Sequence, residues 1–304
     1  MVCCTIGDGE EPVVYTDSMF WCGPHLVKSM VQFAEENKDE LYKTETCIYG
    51  DFLASMGTCK PEEKLFWKKT SADASINMKM ATHFQNSPLS ILILEKSKFF
   101  HLGTMPEYLE NLCQSSELYR VLGMKPVVHC RTGASLTCRG IITDSVIQSA
   151  VEISQGSTVD NCIFHTPLVV EPCVILSNCV INDPDIKIIP SGWLFHSSAI
   201  KKDGKYSYVT IAFRIDENLK TCVEHSWKHL AEGGSSLWTA RLFQARTSMS
   251  DSFSTTWRSV TRSIQCQHKD DDIVRFSMID IVKLKHVEGF LQHRNSINNS
   301  FHHF

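Results

Sequence analysis

The sequence has 304 residues, 43% of them hydrophobic and 21% charged, a globular balance that excludes collagen-like, mucin-like and wholly disordered chains. Thirty Lys and Arg against 34 Asp and Glu leave a formal net charge of −4, without the basic excess that a phosphate backbone demands, so no nucleic-acid partner is expected. The first twelve residues lack the basic flank and apolar stretch of a secretory signal, and the longest aliphatic run, residues 91–94, is far short of the ~20 residues of a membrane helix. The expectation is a cytoplasmic protein with no membrane contact. Thirteen cysteines include no C-x-x-C, and Cys162 with His165 is a lone C-x-x-H, so reduced, buried thiols are expected and no metal site.

Residues 1–12 are expected to be an unordered start, and 13–123 an α/β segment. Val13, Val14 and Tyr15 predict a strand ending at Thr16-Asp17-Ser18. Pro24 suits the first turn of a helix, where its missing N–H goes unneeded, and Leu26, Val27, Met30, Val31 and Ala34 continue at helical spacing. A short helix near Asp51 stops at Gly57. Residues 91–94 predict a buried strand bounded by Pro88 and Glu95-Lys96. Thr104 and Glu107 are spaced as a capping box, with Tyr108, Leu109 and Leu112 as the apolar face of the helix that follows.

From Gly140 the period becomes six. Ile141, Ile147, Ile153 and Val159 fall at that spacing, and after a shift of phase so do Ile163, Val169, Ile175 and Ile181. Small residues (Ser145, Ser157, Cys173 and Cys179) precede several of these by two. Six suits neither a helix nor a flat strand; it predicts a left-handed parallel β-helix over 124–215, with aliphatic residues inside and small ones at the corners. Residues 194–213, around Asp203-Gly204, predict a capping hairpin. A mixed α/β tail over 216–304 holds the Trp238 segment, an amphipathic helix near 277–293 and a frayed end from 298.

An α/β segment leading into a hexapeptide β-helix is the layout of sugar-nucleotide pyrophosphorylases. The strings Val14-Tyr-Thr-Asp-Ser18, Tyr49-Gly-Asp-Phe-Leu53, Lys98-Phe-Phe-His-Leu-Gly-Thr104 with Glu107-Tyr-Leu109, Ser236-Leu-Trp-Thr-Ala-Arg-Leu-Phe243 and Ser248-Met-Ser-Asp-Ser252 resemble the fucose-1-phosphate guanylyltransferase family, also called GDP-L-fucose pyrophosphorylase. The resemblance runs from about Val13 to Arg294 and corresponds to the C-terminal half of a typical member, so the α/β segment is expected to be the remnant of a nucleotidyltransferase domain. It implies GMP transfer from GTP to β-L-fucose 1-phosphate with Mg2+. The Gly-Gly-x-Gly-x-Arg loop that grips triphosphate in that superfamily is absent: Gly7-x-Gly9 is followed by acids, and Gly233-Gly234 comes after the coils. The chain alone is therefore expected to be inactive, with GTP and fucose 1-phosphate as partners once another half completes it.

Asp17 is a substrate carboxylate or a turn acceptor, and Asp51 a sugar contact or a helix-terminus charge. His101 stands where many superfamily members place a metal-binding aspartate; neutral imidazole suits magnesium poorly, so sugar or phosphate contact fits it better. Thr104 is first a helix cap. Trp238 and Arg241 are a packing anchor or an interaction surface, and His129, His165 and Cys173 are structural. The alternative to an enzyme is a non-catalytic binding or scaffold protein that meets a protein partner through the β-helix or tail. A hexapeptide-repeat acyltransferase would need coils along most of the chain.

Overall fold

The computed structural model describes residues 2–6, 14–41, 46–53, 55–56, 74–93, 98–112, 114–218, 236–261 and 274–301. Gly7–Gly9, Gly57 and Gly233-Gly234 lie outside these. The chain divides into two compact units, Met1–Phe99 and Phe100–Phe304. The sequence grouped residues 100–123 with the α/β segment; the division places them with the coils.

The first unit holds a three-stranded sheet. Its centre is β1 (Val2–Ile6), flanked by antiparallel β2 (Val14–Phe20) and parallel β3 (Ile91–Ile93). The expected unordered start is thus corrected in part, since Val-Cys-Cys-Thr-Ile, rich in β-branched residues, suits a pleated strand. The expected burial of the 91–94 strand is corrected too: Ile91, Leu92 and Ile93 are 53%, 43% and 47% exposed. Among the described residues β1 is the one ladder partner of β3, which leaves β3 at the sheet edge.

Helix α1 (Pro24–Glu36) begins at Pro24, as its fixed φ favours. Helix α2 (Lys38–Leu41), a π-helical turn over Ile48–Leu53 and α3 (Ala74–Phe84) follow. Phe33, Met56, Ile76, Met80 and Phe84 form the core, with Leu26, Met30 and Phe52 against it. Phe84 receives Phe52 edge-on at 5.1 Å and Phe33 at 5.5 Å, the tilted geometries that aromatic quadrupoles favour. Val27 and Val31 of the expected apolar face are exposed instead.

The second unit opens with α4 (Met105–Leu112) and α5 (Glu117–Val121), then winds into a three-sided parallel β-solenoid of about four turns. Ile141 pairs with Thr158 and Thr158 with Ile175, a repeat of 17 residues rather than three sixes. The interior is filled by three stacked rows: Ile142-Val159-Leu176-Phe195, Ile147-Phe164-Ile181 and Ile153-Val170-Ile189, all fully buried. One corner per coil takes five residues instead of six, which is the phase shift seen in the sequence. The expected interior residues Ile163, Val169 and Ile175 are therefore corrected to Phe164, Val170 and Leu176; Val169 is 37% exposed.

The corners explain the polar residues. Asp144, Asn161 and Asn178 have φ of 44°, 51° and 54°, a left-handed turn that Asn and Asp tolerate. Directly after them, Ser145, Cys162 and Cys179 stack inside: the Cys162 N–H donates to Ser145 Oγ (3.0 Å) and the Cys179 N–H to Cys162 Sγ (3.4 Å). Ser157 does the same for Val174 N at another corner (3.0 Å). Cys173 departs from the expected small-and-buried role. It is exposed, with φ 58°, in line with Gly156 and Gly192 at φ 73° and 76°. Among the described residues, Cys22, Cys130, Cys138, Cys162, Cys173 and Cys179 carry free thiols.

The last coil passes into a hairpin, Trp193–Lys202 with Lys205–Arg214, turning at Asp203-Gly204 with φ 50° and 77° as a type I′ turn requires. This hairpin and two further strands, Phe243–Arg246 and Arg275–Phe276, extend one solenoid face into an eight-stranded sheet. Helix α6 (Met249–Thr261) is stapled to the end of the solenoid. Thr256 donates to Thr210 O (2.8 Å), Trp257 Nε1 to Ile188 O (3.1 Å), and Arg258 pairs with Asp183. The expected helix near 277–293 is two helices, α7 (Met278–Leu284) and α8 (Val287–Phe301). Of the end expected to fray from 298, residues 298–301 belong to α8 and 302–304 lie outside the described residues; Ile297 is buried, Arg131 Nη1 donates to Ser300 O (2.7 Å), and the Phe301 ring lies 4.2 Å from that of His129. Among the described residues no helix is long and apolar enough to cross a membrane.

Candidate functional site

His101 and Thr104 come together in one turn at the start of α4. The Glu107 N–H donates to Thr104 Oγ1 (3.3 Å), while Glu107 Oε2 accepts from Thr104 N (3.0 Å), so the predicted capping box forms. The same Oε2 accepts from Gly103 N at 3.1 Å and lies 2.9 Å from His101 Nδ1. Asn111 Nδ2 donates to His101 O (2.9 Å), which ties the front of the turn to the helix. These bonds, led by that of His101, hold the Glu107 carboxyl below its usual range. Gly103 lets the His101 ring fold over the turn; a Cβ there would meet that exposed ring, which would have to move aside. The H-x-G-T-x-x-E spacing displayed the cap, but the third role of Glu107, as partner of the imidazole, was not legible from it.

Asp17 lies within β2, not at its end. The strand continues to Phe20, and the register with β1 shifts between Thr16 and Phe20. Asp51 Oδ2 accepts from Cys47 N (2.6 Å) at the opening of the π-helical turn.

A cavity of about 530 Å³ opens in this same unit, a volume within the ordinary range for small-molecule sites. Three stretches build it: residues 20–30 at the end of β2 and the start of α1, residues 48–56, and residues 87–90 after α3. Its walls are mainly apolar, with His25, Ser29, Ser87 and Ser90 as polar points. The sequence reading missed this cavity because it joins segments far apart in the chain, none with a motif of its own.

In the tail, Leu237, Ala240, Leu242 and Phe243 are buried, whereas Trp238 and Arg241 sit on the surface. Trp238 O accepts from Ile279 N (3.3 Å), and Arg241 Nε lies 3.9 Å from Asp280. Both residues thus help attach α7 while presenting their side chains outward.

No group of three or more His, Cys, Asp or Glu able to hold a metal exists among the described residues. Glu107 Oε2 is occupied by nitrogen donors and His101 is a poor ligand for magnesium, so this turn does not fit Mg2+.

In chain order an α/β unit precedes a parallel β-solenoid. A family model described as the fucose pyrophosphorylase domain matches residues 2–255, and the chain belongs to that family. Fucose-1-phosphate guanylyltransferase of Mus musculus is 24% identical over 324 aligned positions, covering 93% of this chain and 53% of the relative. The Homo sapiens protein of the same description is 26% identical over 283 positions, covering 81% and 46%. The chain thus spans about half the length of the curated relatives it matches. No solved structure matches it.

Proposed function

We propose that the chain forms the sugar-handling and solenoid portion of a guanylyltransferase that makes GDP-L-fucose. The oxygen of β-L-fucose 1-phosphate attacks the α-phosphorus of GTP, the bond to the bridging oxygen breaks, and diphosphate leaves. The observation that carries this reading is the family match over residues 2–255, which runs through the α/β unit and the coils alike.

His101, fixed by Glu107, is the side chain we assign to the sugar phosphate: imidazole donates hydrogen bonds to phosphate oxygens without competing for magnesium. The chain as printed contains no Gly-Gly-x-Gly-x-Arg, so the grip on GTP, and the carboxylates for Mg2+, are assigned to polypeptide outside it. Incubation with GTP and β-L-fucose 1-phosphate tests this directly. The chain alone should release no diphosphate, whereas a fusion to the part of the mouse relative that it does not match should form GDP-L-fucose. A folded fusion without turnover overturns the reading.

The surface setting of Trp238 and Arg241 favours a second reading, a non-catalytic copy that contacts a protein partner. Under that reading W238A with R241A abolishes complex formation, and the fusion stays inactive.

A further inference from the structure

The hairpin that ends the solenoid keeps its register to the tip, where Lys201 faces Tyr206 and Lys202 faces Lys205. On the other side of the first hairpin strand Lys285 is bridged to Ile200, and Lys283 stands two residues before it. These five lysines are exposed, and among the described residues none of them is ion-paired. Arg139, Arg214, Arg241, Arg258 and Arg294, by contrast, each face a carboxylate. Of the acids in these stretches, Asp280 lies with Arg241 and Glu288 with His286, which leaves Asp203 against five cations. In a chain of net charge −4 this is a local basic surface.

Three of the cations are held in place. Lys201 Nζ lies 4.9 Å from the centre of the Tyr206 ring, Lys202 Nζ 5.5 Å from that of Phe276, and Lys285 Nζ 4.6 Å from that of Phe290. Side chains already fixed over rings lose less freedom when an anion arrives, so more of the attraction shows as affinity.

The hairpin edge is open at the same place. The neighbouring strand Phe243–Arg246 pairs with Tyr208 and Val209 and goes no further toward the tip. Among the described residues, Lys205, Tyr206 and Ser207 therefore have no ladder partner on that side. Such an edge accepts an added strand, while its lysines repel a second copy of themselves and attract acids. We propose that residues 205–207 are a docking edge for an extended acidic segment of another protein. The backbone of that segment continues the ladder, and its Asp or Glu side chains meet the lysines of the tip across the strands. A lipid headgroup or a polynucleotide would answer the charge and leave the ladder open.

The test uses the full chain and three probes: a twelve-residue peptide alternating Glu and Thr, one alternating Glu and Pro, and vesicles of phosphatidylserine with phosphatidylcholine. The Pro peptide keeps the charges and loses half of its backbone donors. In fluorescence anisotropy the Thr peptide should bind at least about tenfold tighter than the Pro peptide. Its affinity should fall at least about tenfold between about 50 and about 500 mM NaCl. On titration the NMR amide signals of Lys205, Tyr206 and Ser207 should shift. Lys205 and Lys283 are exposed, so K205E with K283E should melt at the wild-type temperature while peptide affinity falls about tenfold.

Equal affinity for the two peptides means charge without a ladder and overturns the proposal, as does wild-type affinity in the variant. Tighter binding to the vesicles than to the Thr peptide overturns it in favour of a lipid surface. Dimers in light scattering that K205E with K283E dissolves assign the edge to a second copy and overturn it as well. So does the absence of Thr-peptide binding up to about millimolar concentration. Turnover in the fusion, or its absence, decides none of these outcomes.

Discussion

Glu107 accepts from His101, Gly103 and Thr104 with one carboxylate oxygen, so the charge state of a single side chain decides whether the turn is ordered. Its folded-state pKa lies below the ordinary 4.5. The stabilising contribution is therefore complete above that ordinary value and is lost as pH falls through the lower, folded one. NMR should show the Gly103 and Thr104 amide shifts titrating together in that acid range, and E107Q should remove the titration. Thr104→Ala removes the reciprocal half of the cap and should cost about 1 kcal/mol in urea denaturation.

His196 behaves in the opposite charge sense. Burial, reinforced by Lys285 and Arg294, lowers its pKa to about 4. Above about pH 6.5 it is neutral folded or unfolded; between there and about pH 4 only the unfolded chain takes the proton. Stability should fall by on the order of 3 kcal/mol across that window, and H196Q should flatten the slope. Burial lowers His293 in the same direction, so a residual slope should remain until that residue is replaced as well.

Among the elements, the solenoid register gives the sharpest contrast. Phe164→Ala should cost about 3–5 kcal/mol because it empties an interior row, whereas Val169→Ala should stay within about 0.5 kcal/mol. The six-residue spacing alone predicts a large loss at Val169, so paired thermal melts decide between the two registers. The coils were legible because inward positions must be apolar and recur; Ile147, Ile153, Val159 and Ile181 were read correctly. The five-residue corner was not legible, since neighbouring aliphatics such as Ile141-Ile142 and Ile175-Leu176 satisfy either phase. The hairpin was readable from Asp203-Gly204, and the α4 cap from Thr104 and Glu107, because local geometry dictates those residues. The edge position of β3 and the cavity beside Trp21 were hidden, since both depend on which distant segments meet. The docking of Phe301 on His129 was hidden for the same reason.

At the scale of the molecule, the two units differ in how their strands are protected. Solenoid strands pair above and below, whereas the Ile91–Ile93 strand leaves all three side chains about half exposed. Hydrogen–deuterium exchange should therefore be faster in β1 and β3 than in the rungs from Ile141 to Ile189, and equal protection would contradict this account.

The two ends of the solenoid are unlike. At its carboxyl end the hairpin and α6 seal the final rung, while Val127 and Val128 of the first rung remain exposed. A stack sealed by a hairpin at its carboxyl end accepts an added turn more readily at the end whose rung keeps exposed residues. Natural variation in the number of turns across this family should accordingly be found just before residue 127, and almost never between the last turn and the hairpin.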